Sequence, residues 1–335
     1  MKIIKKNIKL LIGVIIGILI SGSAVIAETI IEANHIKYSN SKTEKTNVQD
    51  AIDELYELSE NLKNNNFASL ILKNNQVINK EPTLTTSSNN TSDESGLYKS
   101  TDTNSGTTYY FRGNVENNYL SFAGFTWRIV RINEDGTIRI VMQDGINNTT
   151  TYAFNTNYNS YAYMYYTNSQ VKATLESWYQ TNIGSKSNLA SKIATVAYYC
   201  EQAKVKADSS WTSGNATMTA YSSYRPNFKC TADGNNKGLV NASIGLLTYD
   251  EVVYAGGYYG QGNSNYYLYN STAWWTMSPA GLSDSVSVAW NVYPTGYINN
   301  YAVDAIYPIR AVLNLKPDTQ ISSGDGTKNN PYILS

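Results

Sequence analysis

The sequence predicts an α+β domain that is built mainly from short antiparallel strands and contains two main helices. Runs of β-branched and aromatic residues, separated by turn residues, recur throughout residues 96–335. Two segments within that range carry the apolar spacing and the N-terminal caps of helices. An apolar N-terminal helix, a short amphipathic helix and a polar stretch precede the domain, so the chain is predicted to have four parts.

The first part, residues 1–27, has the features of a targeting segment. Four lysines lie among residues 2–9, an apolar run follows, and Val25-Ile26-Ala27 fits a small-residue cleavage site. The apolar stretch is about 18 residues long, which is near the lower limit for a helix that spans a bilayer. The segment is therefore predicted to be either a signal peptide or a retained membrane anchor. In both cases the remainder is predicted to be extracellular, anchored at the cell surface or secreted.

The second part, residues 28–73, is predicted to be a membrane-proximal segment with an amphipathic helix at 47–64. Thr46 and Gln49 fit a capping box. Apolar residues then recur at helical spacing: Val48, Ala51, Leu55, Leu58 and Leu62. Because so short a helix is marginal alone, this stripe must pack on the domain or on copies of itself. The segment also resembles a helical element of phage tail fibres and surface proteins. As one alternative, this resemblance implies that the chain forms a homo-oligomer, specifically a trimer, through residues 47–62.

The third part, residues 74–95, has the composition of a polar linker. The fourth, residues 96–335, is predicted to be one domain. Its strongest strand signal is a hairpin over residues 125–142, whose turn contains Asp135-Gly136. Strands are also predicted at 285–292 and 297–303, around a turn at 293–296, and along the apolar segment 306–315.

Two helices are predicted within this domain. The first starts near Ser169 and presents one face of spaced residues: Val171, Leu175, Trp178 and Asn182. The second starts with a capping box formed by Thr248 and Glu251, and it ends at Gly256-Gly257.

Cys200 and Cys230 are the only cysteines. An even number of cysteines in an exported chain favours a disulfide, which would close a loop of roughly thirty residues. Two buried free thiols are the alternative. Neither cysteine belongs to a C-x-x-C motif and no histidine lies nearby, so zinc binding and thioredoxin-like chemistry are not predicted.

Charge and composition narrow the classes of function. Basic and acidic residues both number 26 and no basic stripe is present, so nucleic acid is not predicted as a partner. His35, the only histidine, lies outside the predicted domain, which excludes Ser-His-Asp and Cys-His mechanisms within it. No cofactor, no metal site and no enzyme activity is predicted. The 29 tyrosines and 6 tryptophans instead supply amphipathic area that suits recognition.

Five segments, in order, resemble C-type-lectin-like domains related to the sulfatase-modifying-factor fold, which occur in exported proteins of low-GC Gram-positive bacteria. In chain order, the five segments resemble the family's opening strand, its helix with the pattern S-x-V-x-x-x-L-x-x-W, its second helix, its Trp-rich core strand and its closing strand. The segments are residues 122–130, 169–179, 246–252, 274–279 and 309–315. The resemblance covers most of the chain and implies a C-type-lectin-like fold.

The sequence also departs from this family. Calcium-dependent lectins share a Trp-Asn-Asp motif, and the nearest candidate here is Trp290-Asn291-Val292. Because it lacks the carboxylate, calcium-dependent sugar binding is not implied. Formylglycine-generating enzymes of the wider fold use a copper-binding cysteine pair near the C-terminus. Cys200 and Cys230 instead precede the Trp-rich strand, so that chemistry is not carried over.

The resemblance implies that the recognition face lies between the Trp-rich and closing strands, at residues 280–307. The candidate ligand contacts there are Ser283, Asp284, Trp290, Tyr293, Tyr297, Asn299, Asn300, Tyr301 and Asp304. Tyr and Trp rings stack on sugars or anchor protein interfaces, and Asn and Ser adapt hydrogen bonds around them. Because alternate strand residues point inwards, Trp274, Trp275 and Trp290 have an alternative interpretation as core anchors.

The sequence thus predicts an adhesin-like surface protein that binds a glycan or a protein on a host or neighbouring cell. One alternative is a structural or oligomeric envelope protein without a specific ligand. A less favoured alternative is a carbohydrate-active enzyme, which would require two converging carboxylates. The carboxylate candidates are Asp250, Glu251, Asp284 and Asp304.

Overall fold

The computed structural model describes residues 48–53, 66–82, 84, 95–195, 197–202, 226–231, 237–260, 262–283 and 285–335. The chain divides into two units, Met1–Leu62 and Lys63–Ser335. Of the first unit, only residues 48–53 are described, and they are helical, within the helix predicted at 47–64. The targeting segment at 1–27 lies outside the described residues. No helix among those described has both the length and the apolar character needed to cross a membrane.

The second unit is mixed α+β, mostly sheet with few helices. Its main helices are α1 (Phe67–Asn74), α2 (Gln170–Tyr179) and α3 (Tyr249–Ala255), and shorter helical turns lie at Ile146–Thr149, Tyr161–Met164, Tyr166–Asn168, Gln180–Gly184 and Ser187–Ala190. Its strands are β1 (Val77–Ile78), β2 (Gly96–Ser100), β3 (Thr108–Arg112), β4 (Tyr119–Phe122), β5 (Phe125–Ile132), β6 (Ile138–Met142), β7 (Thr151–Ala153), β8 (Tyr198–Cys200), β9 (Leu239–Asn241), β10 (Trp274–Ser283), β11 (Val286–Val292), β12 (Ile298–Ala302), β13 (Ile306–Pro308), β14 (Val312–Leu315), β15 (Ile321–Ser323) and β16 (Tyr332–Leu334).

The strands form one large sheet and three small ones. Nine strands make the large sheet, in which β5 pairs antiparallel with β3 and β4 along one edge and with β6 along the other. β14 extends the sheet beyond β6, and β16 pairs parallel with β4. The small sheets are β10-β11-β12, β13-β7 and β8-β9.

The local sequence signals are confirmed. β5 and β6 form the predicted hairpin, with Gly136 at φ 80° in its turn and the Asp135 carboxylate accepting from the Thr137 N–H at 3.0 Å. β11 and β12 form the second predicted hairpin. Left-handed φ values strain residues other than glycine, so Gly136 suits its place in the turn.

Both predicted helices are also present. The Ser169 hydroxyl caps α2, and Val171, Leu175 and Trp178 lie on its buried face. The capping box of Thr248 and Glu251 starts α3, which ends where Gly256 takes φ 124°. Asn182, which the spacing places on the same face as Trp178, instead lies in the π-helical turn that follows α2.

Residues that precede the predicted domain start at residue 96 pack within the second unit. The sequence predicts residues 67–73 in the membrane-proximal segment and 74–95 in a linker. In the structure Phe67 and Ile71 are fully buried, and the Phe67 N–H donates to the Thr319 carbonyl at 2.8 Å. β1, inside the predicted linker, pairs with β2. The partners of these residues come from distant parts of the chain, so no local pattern reveals them.

The strand predicted along 306–315 is two strands in two sheets. β13 pairs with β7, whereas β14 pairs with β6 in the large sheet. The intervening segment directs the Arg310 side chain into the interior, where it donates to the Met142 carbonyl at 2.8 Å and to the Leu268 carbonyl at 2.7 Å. The apolar run does not reveal this change of sheet, because the partner strands β7 and β6 lie far from it in the sequence.

The predicted disulfide is present between Cys200 and Cys230, whose Cα atoms are 5.8 Å apart. It ties residues 226–231 to β8. Within that segment, Phe228 stacks on Tyr254 with ring centroids 4.0 Å apart, and the Cys230 N–H donates to the Asn104 side chain at 3.0 Å. The disulfide therefore adds a covalent link to a segment that aromatic contacts and hydrogen bonds also hold.

We expect replacement of both Cys200 and Cys230 by Ser to lower the free energy of unfolding by about 3–4 kcal/mol, because the unfolded chain regains the entropy of a loop of about thirty residues. Urea denaturation followed by circular dichroism measures this change. A reducing agent should produce a similar shift in the wild type and none in the variant. An unchanged urea midpoint in the variant would contradict this account of the disulfide.

Glu251 joins α3 to the large sheet through two buried arginines. Its Oε1 accepts from Arg139 at 2.6 Å and from Arg131 at 3.0 Å, while its Oε2 accepts from the Thr248 N–H at 2.9 Å. Burial alone would raise the pKa of the Glu251 carboxyl, but Arg139, Arg131 and the Thr248 N–H outweigh it, so that this pKa lies below its ordinary value. The carboxylate is therefore charged in the folded protein.

Replacing Glu251 with Gln should lower stability at pH 7 by about 3–5 kcal/mol, because it leaves buried guanidinium groups without their counter-charge. A folded pKa below the unfolded value, near 4.3, means that the carboxylate stabilises the fold above that pH and less as the pH falls through the folded pKa. Urea denaturation at pH 7 and pH 4 should therefore show the difference narrowing at acid pH. Glu176→Gln, which removes an exposed pair with Lys172, is the control and should cost about 0.5 kcal/mol or less.

Candidate functional site

The candidate site lies on one side of the three-stranded sheet β10-β11-β12. Residues that oppose each other in an antiparallel pair project to the same side, and successive residues alternate. Asn291 opposes Asn299 and Ala289 opposes Tyr301, while the turn places Tyr293 against Tyr297. The register therefore puts all the odd-numbered residues of this hairpin on one side.

Four tyrosines gather on that side, and we call them the tyrosine face: Tyr293, Tyr297, Tyr301 and Tyr307. The Tyr293 and Tyr297 rings stack with centroids 5.0 Å apart. Tyr301 is 45% exposed and meets Tyr307 edge to face at 6.0 Å. The face therefore offers ring surface to solvent, and its rings hold one another in place.

Tyr307 connects the two ends of the face. It comes from β13, reaches Tyr301 at one end, and shares a hydrogen bond with Tyr293 at the other. Burial and the neighbouring Tyr293 raise the pKa of Tyr307 to about 12, so its hydroxyl stays protonated at physiological pH. Tyr307 therefore contributes an uncharged ring and hydroxyl group to the face.

Beneath the face lies a buried floor. Trp275 is fully buried, its ring is 4.9 Å from Tyr307, and its Nε1–H donates to the Tyr152 carbonyl at 3.0 Å. Asn291, its partner in the register, is also fully buried, and neither its Nδ2 nor its Oδ1 has a hydrogen-bond partner among the residues that the structure describes. Such a buried amide is a cost to the fold at this position.

Two of the predicted contacts lie away from the tyrosine face. Trp290 is only 5% exposed and packs against Tyr249 at 4.8 Å and Tyr259 at 5.9 Å, so it is a core anchor and not a surface contact. Asn300 opposes Trp290 and therefore projects to that same side of the sheet, away from the tyrosine face. The interpretation of Trp274, Trp275 and Trp290 as core anchors is confirmed by their burial.

The other predicted contacts are not all in one place. Tyr293, Tyr297, Asn299 and Tyr301 share the face, whereas Ser283 pairs with Val286 at the opposite end of β11. The two ends of that strand are six residue steps apart, a distance of about 20 Å. Asp304 is exposed and follows β12 at the same end as Ser283. Asp284 lies outside the described residues.

Sequence analysis missed Tyr307 and Trp275 as parts of this site. Tyr307 reaches the face only because β13 pairs with β7, and Trp275 supports the face only through its place opposite Asn291. The β13-β7 pairing joins segments that are far apart in the sequence, and bulges shift the register of the β10-β11 pairing between Trp275 and Gly281. Period-two alternation places Asn299 and Asn300 on opposite sides of β12, although the sequence analysis lists both as contacts.

A second feature is a cavity of about 330 Å³ between the disulfide-linked segment and the large sheet. Asp250 and Glu251 line it, together with Arg131 and Arg139. Glu251 is fixed in its ion pairs, and the Arg139 Nη2 donates to the Tyr198 carbonyl at 2.6 Å. These charged groups are bound to the protein itself, so we assign the cavity no ligand. Within the described residues, no three His, Cys, Asp or Glu side chains are grouped so as to hold a metal ion.

Comparison with known proteins adds no further constraint on the site: no family model, curated protein or solved structure matches this chain.

Because Asn291 is buried without a partner, Asn291→Leu is expected to raise the free energy of unfolding by about 1 kcal/mol. Asn314 provides a matched control, since it is equally buried but its Oδ1 accepts from Arg139 at 3.1 Å and from Asn133 at 2.9 Å. Asn314→Leu should therefore be destabilising. Urea denaturation of the two variants distinguishes the cases, and destabilisation by Asn291→Leu would show that its amide is bonded in solution.

Proposed function

We propose that this protein is an exported, adhesin-like binding protein whose tyrosine face binds an uncharged glycan. The observation that carries the proposal is the cluster of Tyr293, Tyr297, Tyr301 and Tyr307, which exposes ring surface on a rigid sheet. Aromatic rings give large contact area with little loss of side-chain entropy, and Asn299 adds an amide beside them. The disulfide between Cys200 and Cys230 supports residence in an oxidising, extracellular space.

The small number of charged residues in the segments that form the face favours an uncharged ligand. Residues 252–309 contain no Lys, Arg, His or Glu, and their only charged residues are Asp284 and Asp304. A charged ligand would lose part of its hydration on binding. Without an opposite charge at this surface, that loss would cost free energy. Sugar hydroxyls are both donors and acceptors, as are Asn amides and Tyr hydroxyls.

We also propose that the second unit has a C-type-lectin-like fold. The resemblance of five segments in order supports this, and so does the mixed α+β architecture with its short antiparallel strands. Trp274 and Trp275, from the segment that resembles the Trp-rich core strand, are both buried. The segment that resembles the closing strand supplies β14, which is buried throughout.

A protein ligand is the second candidate. Ile306 is 62% exposed and Tyr158 is 45% exposed, and the Tyr158 carbonyl accepts from the Ser287 N–H, which places it beside β11. Charge depletion combined with exposed aromatic and aliphatic groups is typical of the core of a protein interface. A protein partner would therefore be expected to extend over Ile306 and Tyr158, whereas a glycan would not.

The test is a binding screen with the full chain, using arrays of glycans and of extracellular proteins, with and without calcium. We expect an uncharged glycan to bind equally in both conditions, and binding to be lost when Tyr293, Tyr297 and Tyr301 are all changed to Ala. Circular dichroism establishes that this variant is folded. Tyr198→Ala is the matched control, because Tyr198 is 54% exposed on β8 and outside the face.

Three outcomes decide between the candidates. Loss of glycan binding in the triple variant alone supports the proposal. Binding of a protein that is lost in Ile306→Asp and retained on removal of glycans supports the second candidate. A folded wild type that binds neither class of probe contradicts both, and it favours the structural alternative.

A further inference from the structure

A short turn beside the tyrosine face has an unusual backbone. Asn147, Asn148 and Thr149 follow one another with φ values of 50°, 57° and 64°. L-residues rarely adopt this left-handed conformation, and consecutive examples are rarer still, although Asn tolerates it better than most. The surrounding structure must therefore hold the turn in place.

The turn is anchored at its first residues. Ile146 is fully buried, and its N–H donates to the Ile309 carbonyl at 2.9 Å. Gly145 fits so closely that a Cβ there would lie 3.1 Å from the Cβ of Pro308. Pro308 follows Tyr307 directly, so the turn is fixed against the strand that supplies the tyrosine face.

The exposed part of the turn reaches the face through one hydrogen bond. The Asn147 Nδ2 donates to the Tyr152 hydroxyl at 2.8 Å, and Tyr152 opposes Tyr307 in the β7-β13 pair. Asn147 and Asn148 are both exposed. The Asn147 amide is therefore held at the border of the tyrosine face, and the backbone of the turn places the exposed Asn148 side chain beside it.

The chemistry of this border matches that of the face. Residues 145–171 contain no charged side chain, as is nearly true of residues 252–309. Since the Asn147 Nδ2 is engaged with Tyr152, its Oδ1 is directed to accept a hydrogen bond, and Asn148 offers both an acceptor and a donor. Two neighbouring amides on a constrained backbone beside aromatic rings are suited to distinguish hydroxyl positions on a sugar, because a misplaced hydroxyl leaves a donor or acceptor without its partner.

Building on the proposed function, we propose that Asn147 and Asn148 are specificity-determining residues of the glycan site. The rings of the tyrosine face supply most of the contact area, and the left-handed turn selects among uncharged sugars by the arrangement of their hydroxyl groups. The backbone strain is retained because right-handed conformations would direct these amides elsewhere.

Glycine substitution separates this role from a structural one, because glycine keeps the backbone shape and removes the amide. The test uses the full chain with a panel of uncharged oligosaccharides ending in glucose, galactose, mannose or N-acetylhexosamine. We expect Asn148→Gly, and Asn147→Gly with Asn148→Gly, to keep or raise the melting temperature. Affinity for the preferred oligosaccharide should fall about tenfold, as expected for loss of one to two hydrogen bonds, and the preference among the four sugar ends should weaken.

Two controls make the result specific. Ala123→Gly relieves a φ of 55° in the turn between β4 and β5, so it should raise stability without changing affinity. Tyr152→Phe removes the partner of Asn147, and it should leave more affinity than the double Asn variant if the amides contact the sugar themselves.

The outcomes distinguish this inference from the proposal on which it depends. A wild type that binds a sugar, together with Asn variants that bind it within twofold and with unchanged preference, overturns the role of the turn alone. If Tyr152→Phe and the double Asn variant lose affinity equally, the turn acts only by positioning Tyr152, and the proposed role of the amides is wrong. A folded wild type that binds no member of the panel overturns the proposed glycan function, and the role of the turn with it.

Discussion

The carboxylate of Glu251 is the point where the helical and sheet parts of the second unit are joined. It neutralises part of the charge of Arg131 and Arg139, which belong to β5 and β6, while its other oxygen caps the start of α3. The helix so placed directs Tyr249 onto Trp290, and the Tyr249 N–H donates to the Ser278 hydroxyl in β10 at 2.9 Å. The hairpin that carries the tyrosine face is thus positioned by an ion cluster on the far side of its own sheet.

Arginine has an unusual place in this protein. Five of the six arginines are buried, namely Arg112, Arg128, Arg131, Arg139 and Arg310, and the sixth, Arg225, lies outside the described residues. Only Arg131 and Arg139 share a buried carboxylate. Arg310 is held by carbonyl oxygens and lies over the Trp274 ring, and burial lowers its pKa to about 10. The guanidinium groups act as multidentate connectors between segments of the second unit.

The sequence predicted those parts of the structure that depend on neighbouring residues. The capping box at Thr248, the stripe of α2 and the Asp135-Gly136 turn are each encoded within a few positions, and each is present. The α+β class and the disulfide were also predictable. The place of α1, the division of residues 306–315 between two sheets, and the approach of Tyr307 to Tyr293 depend on pairings between distant segments. Period-two alternation predicted the burial of Trp290 as an alternative, but only the register of β11 and β12 assigned each side chain to its side.

The first and last elements of the second unit are held together. The Phe67 ring in α1 meets the Tyr332 ring in β16 at 5.0 Å, and the Asn74 side chain donates to the Tyr332 hydroxyl at 3.2 Å. A unit whose two ends meet is a self-contained module, because joining it to other chains at either end does not require the ends to separate. The unit can therefore be tethered, duplicated or inserted into a surface loop of another protein. None of these changes requires the hairpin that carries the tyrosines to rearrange.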